Sequence, residues 1–167
     1  MASLKNISIA AGVLIVLVLF GWVFTAPYLS NQGLGRTPGL IIGGPLSEAP
    51  ADFTIHNEHE GPMKFKLEGF PSLVNYLSWV ATEDGIITAT RPDGGYWGER
   101  VKAGGNKAWL RLEDSTYKMQ AVQITGPQHL VMMEQWAAKS GRTLDEPLYN
   151  GSEPLREWEV YYWTPEQ

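Results

Sequence analysis

Residues 63–68 read Met-Lys-Phe-Lys-Leu-Glu, apolar and polar by turns without a break. A period of two sends alternate side chains to opposite faces of an extended chain, so one face is buried and the other wet. Similar short runs recur. Phe53, Ile55 and Asn57 alternate with Thr54 and His56. Residues 73–81 and 86–90 flank Thr82-Glu83-Asp84-Gly85, whose Asp-Gly pair suits the positive φ of a tight hairpin. Residues 108–112 and 116–124 flank Glu113-Asp114-Ser115 as a second hairpin, and Trp158, Val160 and Tyr162 alternate with Glu159 and Tyr161 in a last strand. Two helices interrupt. One covers residues 96–103 and is closed by Gly104-Gly105. The other covers 127–140, with Pro127 in the first turn, Leu130, Met133, Trp136 and Ala137 on one face, and Gly141 as its stop. Short, evenly spaced strands with two helices imply a mainly β fold, a small barrel with helical insertions.

The N-terminal part obeys no such period. From Asn6 to Gly35 there is no charged residue, and residues 7–24 read ISIAAGVLIVLVLFGWVF. As a helix at about 1.5 Å per residue this run spans roughly 27 Å, close to a bilayer's hydrocarbon thickness. A signal peptide would need small residues before a cut, but Phe24 takes one such position and Pro27 follows Thr25-Ala26. A core helix at a chain terminus would show a polar face, which this run lacks. The expectation is a single-pass transmembrane anchor over residues 1–28. Lys5 precedes it and Arg36 is the next basic residue, which points to an N-terminus inside and a domain outside. In a bacterium that is the inner membrane with a periplasmic domain. Residues 29–50 are rich in Gly and Pro and read as a linker, leaving residues 51–167 as the folded domain.

Composition narrows the function. The chain of 167 residues carries 13 Lys and Arg against 18 Asp and Glu, a net charge of -5, and no cysteine. Bulk charge excludes a generic nucleic-acid binder, and the lack of cysteine excludes a thiolate metal site or a cysteine nucleophile. One segment reverses the sign. Between residues 91 and 111, Arg91, Arg100, Lys102, Lys107 and Arg111 face only Asp93 and Glu99. A strand runs there into Pro92-Asp93-Gly94-Gly95 and then into a helix. Gly94 and Gly95 would let a backbone approach a ligand, and the helix amides would favour a negative group. Arg91 and Arg100 offer forked donors, Lys102 a point charge, and Tyr96 and Trp97 aromatic faces. A ligand with a phosphate and a flat ring would suit this set. The competing reading is that the cations solvate a short surface helix while Trp97 plugs the barrel end.

The run ITATRPDGGYWGERVKAGGNKAWLRL followed by STYKMQAVQITGP resembles the flavin- and deazaflavin-binding split β-barrel superfamily, which includes pyridoxamine-phosphate oxidases and deazaflavin-dependent nitroreductase-like proteins. Trp97, Val101 and Ala103 match a Trp-x-x-Asn-Leu-x-Ala-Asn-Pro pattern of the latter, while Arg100 replaces its first Asn and Gly104-Gly105-Asn106 its Asn-Pro. The basic phosphate loop of the deazaflavin branch is missing upstream, where Lys64-Phe65-Lys66 and Gly69-Phe70-Pro71 stand. The resemblance implies a six-stranded split β-barrel, a homodimer, and FMN or deazaflavin held by Arg91, Gly94, Gly95, Tyr96, Trp97, Arg100 and Lys102 in an oxidoreductase. No acid, base or nucleophile stands out. The alternative is a non-enzymatic accessory or assembly subunit of a membrane complex with no cofactor. A carrier of lipid or another apolar ligand is a third reading.

Other constellations are weaker. His56 and His59 beside Glu58 and Glu60 invite a metal, but the stretch reads as a polar loop, and no metal site is expected. Haem is a minor alternative through His56, His59, Met132 and Met133. His129 reads as a surface residue, and Glu157 and Glu159 as the wet face of the last strand.

Overall fold

The structure, a computed structural model, describes residues 4–25 and 36–167. One antiparallel sheet organises the chain. Its strands are β1 (Arg36–Pro38), β2 (Met63–Leu67), β3 (Leu73–Leu77), β4 (Trp79–Ala81), β5 (Ile86–Thr90), β6 (Lys107–Leu112), β7 (Ser115–Ile124) and β8 (Glu159–Pro165), in the order β1-β3-β2-β6-β7-β8-β5-β4. Strands β2 to β8 form a curled half-barrel, and the three-residue β1 extends one edge. β3 and β4 lie at opposite ends of those seven strands, yet only Ser78 separates them in sequence. One residue spans only about 7 Å between its neighbours, so the sheet must curl until its ends meet. Among the described residues no ladder joins β3 to β4, and Ser78 marks a seam.

The alternation read in the sequence decides what faces inward. Met63, Phe65 and Leu67 of β2 join Leu110 and Leu112 of β6, Tyr117 and Met119 of β7, and Tyr161 and Trp163 of β8 in one buried cluster. A second cluster lies on the outer face, where Met133, Trp136 and Ala137 of helix α3 (Pro127–Lys139) cover Ile87, Ala89 and Val160. β5 is therefore buried at all five positions, with the barrel on one side and α3 on the other. The short helix α2 (Gly95–Lys102) contributes Trp97 and Val101 to the inner cluster.

Several expectations are corrected. Among the described residues the sheet has seven curled strands plus β1, not six in a split barrel, while the two expected helices are α2 and α3, preceded by α1. Residues 73–81 are two strands with different partners, broken at Ser78. Residues Phe53–His56 form a 3-10 helix, not a strand. Asp52 caps it, its carboxylate accepting from the Thr54 N–H at 2.8 Å and the Thr54 hydroxyl at 2.7 Å. Such local bonding by Asp competes with a ladder. The β4–β5 hairpin forms as expected, but Gly85 is not among the residues with positive φ. It is needed because a Cβ there would overlap the Trp163 carbonyl oxygen. The positive φ falls instead on Glu113, at 50°, in the β6–β7 turn.

The N-terminal helix α1 (Leu4–Thr25) exposes its described side chains, Leu17 and Phe20 among them. Among the described residues no helix is long and apolar enough to cross a membrane. That finding overturns the expected transmembrane helix and the inner-membrane, periplasmic placement that rested on it. The expected linker lies partly outside the described residues. Its described part packs on the sheet: Ser47 N–H donates to the Thr116 carbonyl and Thr116 N–H to that of Pro45, both at 2.9 Å.

Candidate functional site

The expected ligand segment lies on α2 and the loop before it. Gly94 at φ 72° and Gly95 at φ 53° make the turn from β5 into the helix, a backbone that L side chains resist. Asp93 sits where an anion was expected, its carboxylate accepting from the Gly95 N–H at 3.0 Å. α2 then crosses the end of the half-barrel. Trp97 is only 6% exposed, its ring edge-on to Phe65 (5.6 Å between centroids) and Tyr161 (4.8 Å), and tilted to Trp163 (6.3 Å). Its ring faces are spent on protein contacts.

The cations are engaged in the same way. Arg91 pairs with Asp93 at 3.0 Å. Arg100 Nη1 donates to the Pro71 carbonyl at 3.0 Å and the Tyr96 hydroxyl at 2.9 Å, and its Nη2 donates to the Glu68 carbonyl. Tyr96 also donates to Pro71, at 3.2 Å. These bonds tie α2 to the β2–β3 hairpin. Lys102 lies between Glu99 and Glu159, and its hydrogen bonds to those carboxylates raise its pKa. Lys107 pairs with Glu166, and Arg111 donates to the Glu113 carbonyl at 3.0 Å. Carboxylates thus match Lys102 and Lys107, whereas Arg100 is held by two carbonyls and a hydroxyl and Arg91 reaches its exposed neighbour Asp93; Tyr96, Trp97 and Arg100 together close the barrel end. Glu159 is not the wet residue expected, since it also accepts from the Tyr161 hydroxyl at 2.7 Å. Burial first, and then that carboxylate, push the Tyr161 pKa well above the usual phenol range.

Two of the three histidines, His56 and His129, have side-chain partners in the protein. His56 is buried, its Nε2 3.1 Å from the Tyr117 hydroxyl and its Nδ1 3.7 Å from the Glu113 carboxylate. His129 Nε2 lies 2.6 Å from the Trp158 carbonyl. Met133, on the inner face of α3, is fully buried, and Met132 packs against the same cluster.

A different place holds open space. At the seam, a cavity of about 600 Å³ is lined by Glu58, Glu60, Ser78, Trp79, Lys139 and Ser140, among others. It opens where β3 gives way to β4 and where α3 ends. Lys139 Nζ stands 3.3 Å from the Trp79 ring centre, out of contact with solvent and without a hydrogen-bond partner. Burial lowers its pKa. Trp79 is fixed by its indole N–H, which donates to the Gly61 carbonyl at 3.0 Å, and Trp136 donates to the Ser78 carbonyl at 3.1 Å. Sequence reasoning passed over Lys139 because a lysine in the last turn of a helix reads as a partner of the helix dipole. The signal that could have found it is Trp79 beside a strand break, which only the fold exposes.

Comparison with protein-family models and with curated proteins finds no match.

Proposed function

We propose that the half-barrel is a non-enzymatic accessory subunit of a protein assembly, not a flavin-dependent oxidoreductase. The observation that supports this reading is the engagement of residues 91–102. Trp97 fills the barrel end, Arg100 holds the β2–β3 hairpin, and Lys102 bridges two carboxylates. A phosphate and ring entering there would displace bonds that hold the fold together, and a ligand that does so forfeits most of its own binding energy. A barrel whose end is closed by its own helix serves as a rigid platform.

The test has two arms. The full chain is purified, scanned for visible absorbance, and heated with and without FMN, a deazaflavin and haem. A tagged copy is also isolated under native conditions from its own cells. The expected result is a colourless protein whose melting temperature none of the three moves, eluting in fixed proportion with a second chain. A yellow protein that loses its colour when Arg91 and Arg100 become Ala overturns the proposal. So does a chain that elutes alone.

A further inference from the structure

We infer that the groove between residues 40–46 and the outer face of β6 docks an extended acidic segment of a partner chain, with an aliphatic side chain of that segment seated against Trp109. This rests on the reading of the chain as an assembly subunit and names the face its partner meets.

The groove has apolar walls. It measures about 340 Å³, and Leu40, Ile41 and Leu46 line it together with Trp109 and the stem of Lys66. Leu40, Ile41 and Leu46 are 49%, 41% and 62% exposed. Single exposed aliphatics are ordinary, but three gathered around one indole form a patch. The walls are also fixed in place. The Thr116 hydroxyl donates to the Gly43 carbonyl and the Lys66 ammonium to the Leu40 carbonyl, both at 2.6 Å. A groove held in this way loses little freedom when it is filled.

The floor and rim are basic. Phe65, Leu110, Tyr117 and Met119 are buried inside, so Lys64, Lys66, Trp109, Arg111 and Lys118 share the outer face. Lys64 lies directly across from Arg111, and Trp109 lies between Lys66 and Lys118. Like charges opposed across a ladder cost stability. Burial, and then Arg111, lower the Lys64 pKa, and burial lowers that of Lys66. The neighbouring carboxylates leave this row in place. Glu166 is paired with Lys107, and Asp114, 3.6 Å from Arg111, stands fully in solvent. Acidic groups from outside would offset the repulsion.

These two properties together select the occupant. Lys66 and Lys118 are two strand spacings apart, about 10 Å, with Trp109 between them. In an extended peptide, side chains two residues apart share one face at about 7 Å. An aliphatic residue on Trp109 therefore places acidic residues two positions away within reach of Lys118 on one side and of Lys64 and Lys66 on the other. A nucleic acid brings the charge without the aliphatic side chain, and the net charge of -5 repels a polyanion.

The probe is a fluorescein-labelled peptide, Glu-Ser-Leu-Ser-Glu, titrated into the full chain by fluorescence anisotropy. Lys-Ser-Leu-Ser-Lys, Glu-Ser-Ser-Ser-Glu and an oligothymidylate carry the same label, and vesicles of phosphatidylglycerol are tested by flotation. The acidic leucine peptide is expected to bind at least about tenfold tighter than either peptide control, since one charge-assisted bond commonly contributes that much. Lys118→Glu should weaken it about tenfold, Lys118→Arg should not, and Leu46→Ser should remove the preference for leucine over serine. Circular dichroism checks that each variant is folded. This arm needs no second chain, so its failure is distinct from that of the assembly reading, which falls when the tagged copy elutes alone. Equal binding of the three peptides or no binding of any would overturn the inference. So would tighter binding of the oligothymidylate, capture by the vesicles, or a dimer of the chain in sedimentation that Leu46→Ser dissociates.

Discussion

Replacing Trp97 by Ala separates a structural plug from a ligand contact. The indole is 6% exposed and packs edge-on against Phe65 and Tyr161, with Trp163 behind. Truncating a buried Trp to Ala typically costs about 3–5 kcal/mol, from lost transfer energy and the cavity left behind. The upper part of that range applies, because α2 is bound to the β2–β3 hairpin through Arg100 and Tyr96 and cannot settle freely into the void. A domain's whole stability is about 5–15 kcal/mol, so the variant would be marginal. For a folded unit of about 130 residues the unfolding entropy is roughly 0.27 kcal/mol/K, and a loss of about 4 kcal/mol lowers Tm by ~15 °C. Urea unfolding followed by far-ultraviolet circular dichroism measures the loss without relying on the indole. Trp97→Phe, which keeps an aromatic ring in the cluster, should cost only roughly 1–2 kcal/mol. A Trp97→Ala protein within about 0.5 kcal/mol of the parent would refute the reasoning. The ring would then be free of the core, and a ligand role for it would regain force.

Other outcomes follow from single contacts. Asn57 accepts from the Ala81 N–H and donates to the Ala81 carbonyl, each at 2.8 Å, and so covers the free edge of β4. Asn57→Ala should cost about 1–3 kcal/mol in urea unfolding and raise light scattering on heating, as an uncovered edge invites pairing between chains. Gly85→Ala should cost about 1–3 kcal/mol by the same measure, because the added methyl meets the Trp163 carbonyl and β5 must move off β8. The hydrogen bond from Lys107 holds the Glu166 carboxyl below its usual pKa. A depressed carboxyl stabilises the fold above its unfolded pKa, and the contribution disappears as pH falls through the folded one. Tm plotted from neutral pH downward should therefore decline less steeply for Glu166→Gln than for the parent, and parallel curves would count against the pairing.

The strands were legible where their chemistry is local. The alternation in Met63–Leu67 gave β2 and its inward face, and Pro127 with Gly141 bracketed α3 to within a residue. Residues 53–57 misled because they alternate too, and alternation cannot weigh Asp52 against a ladder. The bond from Asp52 to Thr54 is a short-range alternative that a period of two does not reveal. The basic segment misled for another reason. A count of Arg and Lys from 91 to 111 sees sequence neighbours, whereas Glu159 and Glu166 neutralise Lys102 and Lys107 from 57 and 59 residues away. Charge pairing across a sheet is long-range in sequence and short-range in space, so it escapes any window.

The same argument locates the open space. The sequence reads residues 73–81 as one strand of a hairpin, and a single strand would leave no gap. The half-barrel instead assigns β3 to β2 and β4 to β5, and Ser78 must turn the chain between two partners. A turning residue cannot keep up ladder bonds on both sides, so the wall opens there. Trp136 takes up the Ser78 carbonyl, which satisfies the backbone without filling the space. Trp79, the next residue, then faces the end of α3, and Lys139 is the side chain within reach of its ring. The seam cavity and its unpartnered ammonium thus have one origin, the change of strand partner at Ser78. A substitution that straightened this junction, closing the ladder, would be expected to remove the cavity while leaving the α2 cap at the barrel end intact.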